Sequence, residues 1–418
     1  MTQGAGLRLC FSIEKTGYRT CPGRYGKGKS MGEAFRMPDA PGGVVYRLRA
    51  NEIHARHSEG SFLRLCDGRI LYAYSLFSGS AGDDDPSNIA VVTSADEGST
   101  WTEPRIVLRA EDFGTHNIMS VSLIRRLDGS IGLFFGGRMV STQSHHFMAV
   151  STDEGETFGR IVSCTLPDRG GYYVLNNDRV IRLRSGRLIM PLAYHRGGCG
   201  FYREDPVYFE SRSYATFRIS DDDGETWHEA ADIVTPPFGD TFTGLQEPGV
   251  VELANGVLFG WCRTDKMYQY CFRSFDQGEH WTAAEPSQFT SPDSPLQIRK
   301  SPEDGTLLAV WNPIPNFNGR YIYPGTNGRT PIACARSFDD GVSWTKPYLL
   351  EGDDRSGYCY PAILFTGNGE ALISYSCGWQ KNKYCPGDTA FFRLRYQEIP
   401  REVRTRSFFA PVSEDMKP

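Results

Sequence analysis

The sequence predicts an all-β fold: a six-bladed β-propeller with four antiparallel strands per blade. Three observations predict it. A Ser-x-Asp-x-Gly-x-x-aromatic string occurs five times, at Ser94–Trp101, Ser151–Phe158, Ser220–Trp227, Ser274–Trp281 and Ser337–Trp344. The copies lie roughly 55 to 70 residues apart, within or a little above the period range of repeat architectures. Six times an apolar strand runs into an Asp-Gly, Asn-Gly or Ser-Gly pair and out into another apolar strand, the strongest short-range signal for a hairpin. The two repeats interleave, so that each unit reads as hairpin, strand, Asp-containing turn and strand, which is one propeller blade.

Taken in order, residues 1–43 are rich in Gly, Arg and Lys without a clean period and read as an arm. Val44–Arg49 alternates in the manner of a strand. The six hairpins follow: Ser61–Leu65 with Asp67-Gly68 and Arg69–Tyr74; Ser120–Leu127 with Asp128-Gly129 and Ser130–Phe135; Asp178–Leu183 with Ser185-Gly186 and Arg187–Ala193. Then come Gly249–Leu253 with Asn255-Gly256 and Val257–Cys262; Leu296–Lys300 with Asp304-Gly305 and Thr306–Trp311; and Pro361–Phe365 with Asn368-Gly369 and Glu370–Tyr375. Six hairpins and five Asp boxes make six blades, the last without a box. The propeller is expected to span 44–400, with a tail over 401–418. Val44–Arg49 is expected to close the ring beside Ala390–Gln397, which removes the exposed edge that an open solenoid of the same repeats would keep. In each box the Asp can accept hydrogen bonds from its own loop, the Gly allows a positive φ, and the aromatic residue packs under the turn. The boxes are therefore structural turns on the outer rim.

Composition sets limits on function. The chain has 418 residues, 39% of them hydrophobic and 13% aromatic, with a net charge of −5. That balance offers no global case for nucleic acid or an anionic membrane. No apolar run approaches the ~20 residues of a membrane span. Met1–Ile13 lacks the apolar core of a secretory signal, and the 11 cysteines contain no CxxC pair. Reduced thiols in a cytoplasmic protein are the expectation, or a secreted one if a signal has been removed. Neither a cofactor nor a metal is expected, because the adjacent His145-His146 pair lacks ligand spacing. The oligomeric state is open.

The inner strands of a propeller begin around its channel, so their first residues converge on one mouth. Here those residues are His54, Arg56 and His57; His116 and Asn117; Asn176, Asn177, Asp178 and Arg179; Gln246 and Glu247; Gln297; and Tyr358 and Tyr360. Such a polar ring suits a small polar ligand.

With these residues in place the chain resembles the sialidase (neuraminidase) superfamily of Asp-box, or BNR, repeat proteins from about residue 50 to 398. Leu245-Gln246-Glu247-Pro248-Gly249, followed by Arg263, resembles the blade carrying a buried glutamate and one arginine. Asn327-Gly328-Arg329-Thr330-Pro331 resembles the segment carrying another arginine. Tyr358-Cys359-Tyr360-Pro361-Ala362 resembles the segment of the catalytic tyrosine, and Asp83-Asp84-Asp85 sits where the acid/base aspartate lies. The resemblance implies a retaining exo-glycosidase acting on a sialic acid or related acidic sugar. Tyr360 would be the nucleophile, Glu247 its base and Asp84 the acid. Arg56, Arg263 and Arg329 would hold the sugar carboxylate, with Asp83, Asp85, His57, His116, Asn177, Arg179, Gln246 and Tyr358 around the substrate.

The chemistry is coherent. Forked guanidinium groups suit a fixed planar carboxylate. A neutral tyrosine escapes the repulsion that an anionic nucleophile would meet, which makes sialidases an exception among two-carboxylate glycosidases. The match departs at the first arginine, where His54-Ala55-Arg56-His57-Ser58-Glu59-Gly60 replaces a Phe-Arg-Ile-Pro-like segment; Phe35-Arg36-Met37-Pro38 resembles it by letter but has no strand behind it. Histidines 54, 57, 116 and 195 keep two alternatives open. One is another carbohydrate-active propeller enzyme, including a polysaccharide lyase with a histidine base; the other is a non-catalytic sugar-binding propeller.

Overall fold

All six hairpin turns form, and their glycines (Gly68, Gly129, Gly186, Gly256, Gly305 and Gly369) all adopt the positive φ that such turns demand. The Asp or Asn before the glycine fastens the turn by accepting the amide two residues on, as in Arg69 N to Asp67 (3.0 Å) and Ser130 N to Asp128 (2.9 Å). The structure, a computed structural model, describes residues 37–140, 142–167, 171–197, 209–317, 319–378 and 387–404. Residues 1–36 of the expected 1–43 arm, with Phe35 and Arg36, and the tail beyond 404 lie outside the described residues, and the last two arm residues, Gly42 and Gly43, already belong to a propeller strand.

Six blades form a propeller ring. Blade one holds His54–Arg64, Ile70–Ser78, Ser87–Ser94 and Arg105–Leu108; blade two holds Ile118–Arg125, Ile131–Val140, Gln143–Ser151 and Arg160–Ser163. In blade three the inner strand is split into Tyr172–Val174 and Ile181–Arg182, followed by Leu188–Gly197, Phe209–Ser220 and His228–Glu229. Blade four is Gln246–Glu252, Leu258–Arg263, Tyr268–Ser274 and Glu285–Thr290; blade five is Gln297–Lys300, Leu307–Trp311, Ile332–Ser337 and Tyr348–Glu351. Blade six takes Gly357–Gly367, Glu370–Gly378 and Asp388–Leu394 from the end of the chain and Gly42–Leu48 from its beginning. The expected closure therefore forms, and it explains the missing sixth Asp box. That box belongs on the turn from third to outer strand, which in blade six is a junction of distant segments. Val403–Arg404 pairs with Trp344–Thr345, so the first residues of the expected tail are fastened to blade five.

The core lies in the six seams between blades. Leu71, Ala73, Leu123 and Leu133 fill the seam of blades one and two, and Tyr72, Tyr74, Leu372 and Phe391 fill that of blades six and one. Alternate residues of one strand thus serve opposite seams. Both faces are buried, which is why these strands read as apolar runs rather than as polar alternation.

The Asp boxes lock the seams from outside. In the fifth, Ser337 Oγ donates to Asp339 (2.8 Å) and accepts from Gly341 N (2.8 Å), while Ser343 N donates to Asp339 (2.9 Å). Trp101, Trp227 and Trp281 each donate their indole N–H to the carbonyl of the box glycine. The residue before that glycine reaches back one blade: Cys66 N donates to Glu154, Leu127 N to Asp223 and Ala254 N to Asp340. The glycines press on the preceding blade as well. A Cβ at Gly98, where φ is +83°, would stand 2.6 Å from Leu372 Cδ2 across the closing seam.

Gly98→Ala should lower the unfolding free energy by about 2–4 kcal/mol, from left-handed backbone strain and overpacking. Because Leu372 is the obstacle, Gly98→Ala combined with Leu372→Ala should destabilise by less than the sum of the two single changes in denaturant titrations. Strict additivity would mean that the two residues do not meet.

Candidate active site

Five inner strands carry the same irregularity. Glu59, Ser120, Asp178, Glu247 and Tyr360 all have positive φ, between +49° and +65°. In blades one, two, four and six the hairpin register slips at that point, between Ser58 and Ser61, Met119 and Ser122, Gln246 and Gly249, and Cys359 and Ala362. These are β-bulges, which bend a strand and re-aim a side chain. A left-handed non-glycine residue costs about 1–2 kcal/mol, so a strained ring of this kind marks a site. Four of the five, Glu59, Ser120, Glu247 and Tyr360, line one cavity of about 250 Å³, together with Asp83, Asn176, Arg263, Tyr172, His146 and His195. That is small beside the usual 300–1,000 Å³ of ligand pockets and suits a single sugar unit.

The fifth positive-φ residue makes the floor. Asp178 accepts from Ser61 Oγ of blade one (2.8 Å), from Gln297 Nε2 (2.7 Å) of blade five and from Ile363 N (3.4 Å) of blade six, and pairs with Arg299 (2.7 Å). Its own N–H donates to the Val121 carbonyl of blade two. Its neighbours extend the plug. Asn177 Nδ2 donates to the carbonyls of Gly60 (2.9 Å) and Tyr360 (3.3 Å), and Arg179 donates to Gln297 Oε1 and the Leu296 carbonyl (both 2.7 Å). Asn177 and Arg179, expected around the substrate, are thus buried and tie blade three across the axis to blades one, five and six.

Charges gather above this floor. Arg56 is fully buried and donates to Glu59, to Asp83 (2.6 Å) and to the Ala81 carbonyl (3.2 Å). Its guanidinium lies 5.7 Å from the Tyr360 ring, and that of Arg329 lies 5.8 Å from the same ring. Arg263 holds both oxygens of Glu247 (3.0 Å each), Gln246 and Asp293 (3.0 Å). Burial pushes the Tyr360 hydroxyl well above its ordinary range, and the charges of Glu247 and Asp83 push the same way, so it is neutral. Partial desolvation at the cavity works to raise Asp83, whose side chain is nonetheless 64% exposed, but Arg56 first, then Arg329 and Arg263, outweigh it and hold that carboxyl below the usual range. Glu59 shares Arg56 with Asp83. Burial, opposed by Arg56 and aided by Asp83, pushes it up to about 7.

The Asp83–Asp85 loop is set from blade two. Asn117 Nδ2 donates to the carbonyls of Asp83 (3.1 Å) and Asp85 (2.7 Å), and Asp85 itself accepts from Gly82 N (2.5 Å). In that setting Asp83 faces the cavity, whereas Asp84 turns to Arg138. His116 is exposed and donates from Nε2 to the Asp84 carbonyl (3.0 Å). His57 stacks on Tyr74 (5.4 Å) in the core, where burial lowers its pKa to about 4. Tyr358 packs with Ile363 and Tyr375 in the seam of blades five and six. Neither His57 nor Tyr358 is among the cavity residues. His195 is, stacked on Phe209 (5.0 Å) and donating from Nδ1 to the Glu210 carbonyl (3.0 Å).

Glu59 and Ser120 were not picked out as candidates from the sequence, yet a signal was there. Each bulge residue stands eight positions before its hairpin-turn pair: Glu59 before Asp67, Ser120 before Asp128, Glu247 before Asn255, Tyr360 before Asn368; in blade three, Asp178 stands seven before Ser185. Among the described residues no group of three or more His, Cys, Asp or Glu is placed to hold a metal ion.

Comparisons with known proteins agree with this architecture. Residues 68–373 match the family model described as a BNR repeat-like domain. No curated protein matches the chain in sequence. A Dyadobacter fermentans protein of unknown function superposes with a TM-score of 0.62 at 17% identity, covering 86% of this chain and 99% of the other. NanB sialidase from Streptococcus pneumoniae gives 0.62 at 14%, covering 85% and 70%. The leech intramolecular trans-sialidase gives 0.63 at 15%, covering 84% and 70%. The shared feature is the sialidase-like propeller.

The raised Glu59 carboxyl makes a testable difference. A carboxyl held above its unfolded pKa is a penalty that is absent below about pH 4.5 and fully present above about 7. Wild-type stability should therefore fall relative to Glu59→Gln by roughly 1–3 kcal/mol between pH 5 and 7.5. Parallel urea titrations of the two proteins check this; a constant difference across that window would contradict it.

Proposed function

We propose that this chain, which belongs to the BNR repeat-like domain family, is a retaining exo-glycosidase that removes a terminal sialic acid or a closely related acidic sugar. The observation that carries the reading is the gathering of three arginines around Tyr360 and Glu247, two residues that line the same cavity. Arg56 and Arg329 flank the Tyr360 ring, and Arg263 holds Glu247. For a substrate with a carboxylate on the anomeric carbon, that cluster supplies charge where the sugar's own charge is fixed.

In this mechanism the substrate carboxylate displaces part of the ion-pair network around Arg263, with Arg329 beside it. Tyr360 attacks the anomeric carbon while Glu247 takes its proton, since a hydroxyl kept neutral by burial needs an adjacent base. Asp83, in preference to Asp84, protonates the leaving oxygen and later activates water. Its low resting pKa is consistent with that role, because a bound carboxylate cancels the arginine field and lets the Asp83 pKa rise toward the working pH.

A second reading rests on a different observation. His195 lines the cavity as a buried neutral imidazole, its pKa lowered to about 4 chiefly by burial. With Nδ1–H donated to a carbonyl, Nε2 keeps the lone pair a base needs. This suits a lyase that removes a proton next to a uronate carboxylate.

Hydrolysis of an aryl α-sialoside separates the two. Release by wild type, blocked by the 2,3-unsaturated sialic acid and lost for the most part in Tyr360→Phe, is expected. No release at mildly acidic to neutral pH, with a conjugated unsaturated product formed from a uronate polymer, would establish the lyase instead. The acid role gives a sharper result. Asp83→Asn should reduce kcat/KM by about 10²–10⁴-fold for an alkyl sialoside, and by much less for an activated aryl leaving group that departs without a proton. Equal losses on both substrates would remove Asp83 from that role.

A further inference from the structure

Glu59 lines the cavity but has no part in the scheme above. One guanidinium serves both it and the proposed acid: Arg56, fully buried, donates to Glu59 from Nη2 and to Asp83 from Nη1 (2.6 Å). Two carboxylates on one cation would leave an uncompensated negative charge in the cavity wall. Like charges held that close are relieved by keeping one proton between them. The settings of the two decide where it rests. The Asp83 side chain is 64% exposed and that of Glu59 only 2%, so the neutral state belongs to Glu59. The other titratable groups on the cavity wall do not reverse this. Glu247 adds negative charge, Arg263 and Arg138 are engaged by Glu247 and Asp84, and burial keeps Tyr172, Tyr360, His146 and His195 neutral. The remaining contact suits either state of Glu59. Ser120 Oγ lies 2.5 Å from its Oε2, and a hydroxyl donates to a carboxylate or accepts from a carboxyl.

We propose that Glu59 is a positioning residue of the acid step: it and Asp83 hold one proton across Arg56, resting on Glu59 in the free protein and on Asp83 when an acidic sugar fills the cavity. The inference rests on the acidic-sugar glycosidase reading with Asp83 as its acid, and it adds where the acid's proton is kept. The change balances, since Glu59–COOH and Asp83–COO⁻ become Glu59–COO⁻ and Asp83–COOH with no change in net charge. The substrate drives it. A bound sugar covers the exposed Asp83 and brings its own carboxylate to the arginines that hold Asp83 ionised, and both effects favour the neutral acid there. Arg56 then pairs with Glu59, and the Ser120 hydroxyl donates to it. In the free protein burial, aided by Asp83, holds the Glu59 carboxyl up at about 7, so the proton is kept through the mildly acidic range.

The test uses the full chain and two readouts. In carboxyl ¹³C spectra, Asp83→Asn and Glu59→Gln identify the two signals by their loss. Near pH 6 the free protein should show Glu59 protonated and Asp83 ionised, and Asp83→Asn should lower the pH at which Glu59 titrates by about one unit. Adding the 2,3-unsaturated sialic acid should exchange the two states. An ionised Glu59 in the free protein, or a pair of signals that bound ligand leaves unchanged, would overturn the inference. If the ligand does not bind, the sialic acid reading fails instead, and the free-protein titration alone decides which carboxyl keeps the proton. The second readout is the pH profile of kcat/KM on an alkyl sialoside. Glu59→Gln should move its alkaline limb to lower pH, a loss of about tenfold at about pH 6.5 but little at about pH 4.5, with a smaller, pH-independent change on an aryl substrate. Glu59→Asp should recover part of the wild-type limb. Equal losses at every pH and on both substrates would make Glu59 a structural residue only.

Discussion

A single buried carboxylate at the axis holds this propeller's centre. Asp178 is 4% exposed and bonded to groups from blades one, two, five and six. Removing one partner of such a network leaves an uncompensated charge, commonly a loss of about 3–5 kcal/mol. The split in the inner strand of blade three is what allows it, because the unpaired stretch between Val174 and Ile181 can cross beneath the neighbouring strands. The channel is thereby stopped by Asn177, Asp178 and Arg179, and the space above becomes a cavity with a polar floor in place of an open pore.

On that floor the bulges set the chemistry. Glu59, Ser120, Glu247 and Tyr360 come from four blades and share one backbone distortion at one level. The strain they carry is offset by the six apolar seams and by the Asp boxes, which fasten successive blades far from the cavity. Rigidity comes from the rim and reactivity from the hub. The charges balance locally: Arg56 between Glu59 and Asp83, Arg263 between Glu247 and Asp293. An incoming anionic group enters a site whose cations are already oriented, so little reorganisation is needed.

Most of the fold was legible in the sequence because its signals are local. Asp67-Gly68 and its five counterparts make turns from their own residues, and Ser337–Trp344 bonds chiefly to itself. The site was legible only in part. Glu247 and Tyr360 precede prolines that mark the bulge, and both line the cavity. Tyr358 and His57 were expected at the mouth because they stand at the starts of inner strands, but position along the chain does not give facing: Tyr358 packs in the seam of blades five and six and His57 stacks on Tyr74. Asn177 and Arg179 sit at the level the pattern indicated, but only tertiary contacts decide between floor and cavity. The choice among Asp83, Asp84 and Asp85 depends on Asn117 and Arg56, from another blade and another strand, which no local pattern contains.

The most direct measurement is a crystal structure of the protein with the 2,3-unsaturated sialic acid bound. The expected result places the sugar carboxylate within hydrogen-bond distance of at least two of Arg56, Arg263 and Arg329, with the anomeric carbon facing the Tyr360 hydroxyl. A sugar bound with its carboxylate away from those arginines, or with Tyr360 remote from the anomeric carbon, would contradict the central claim.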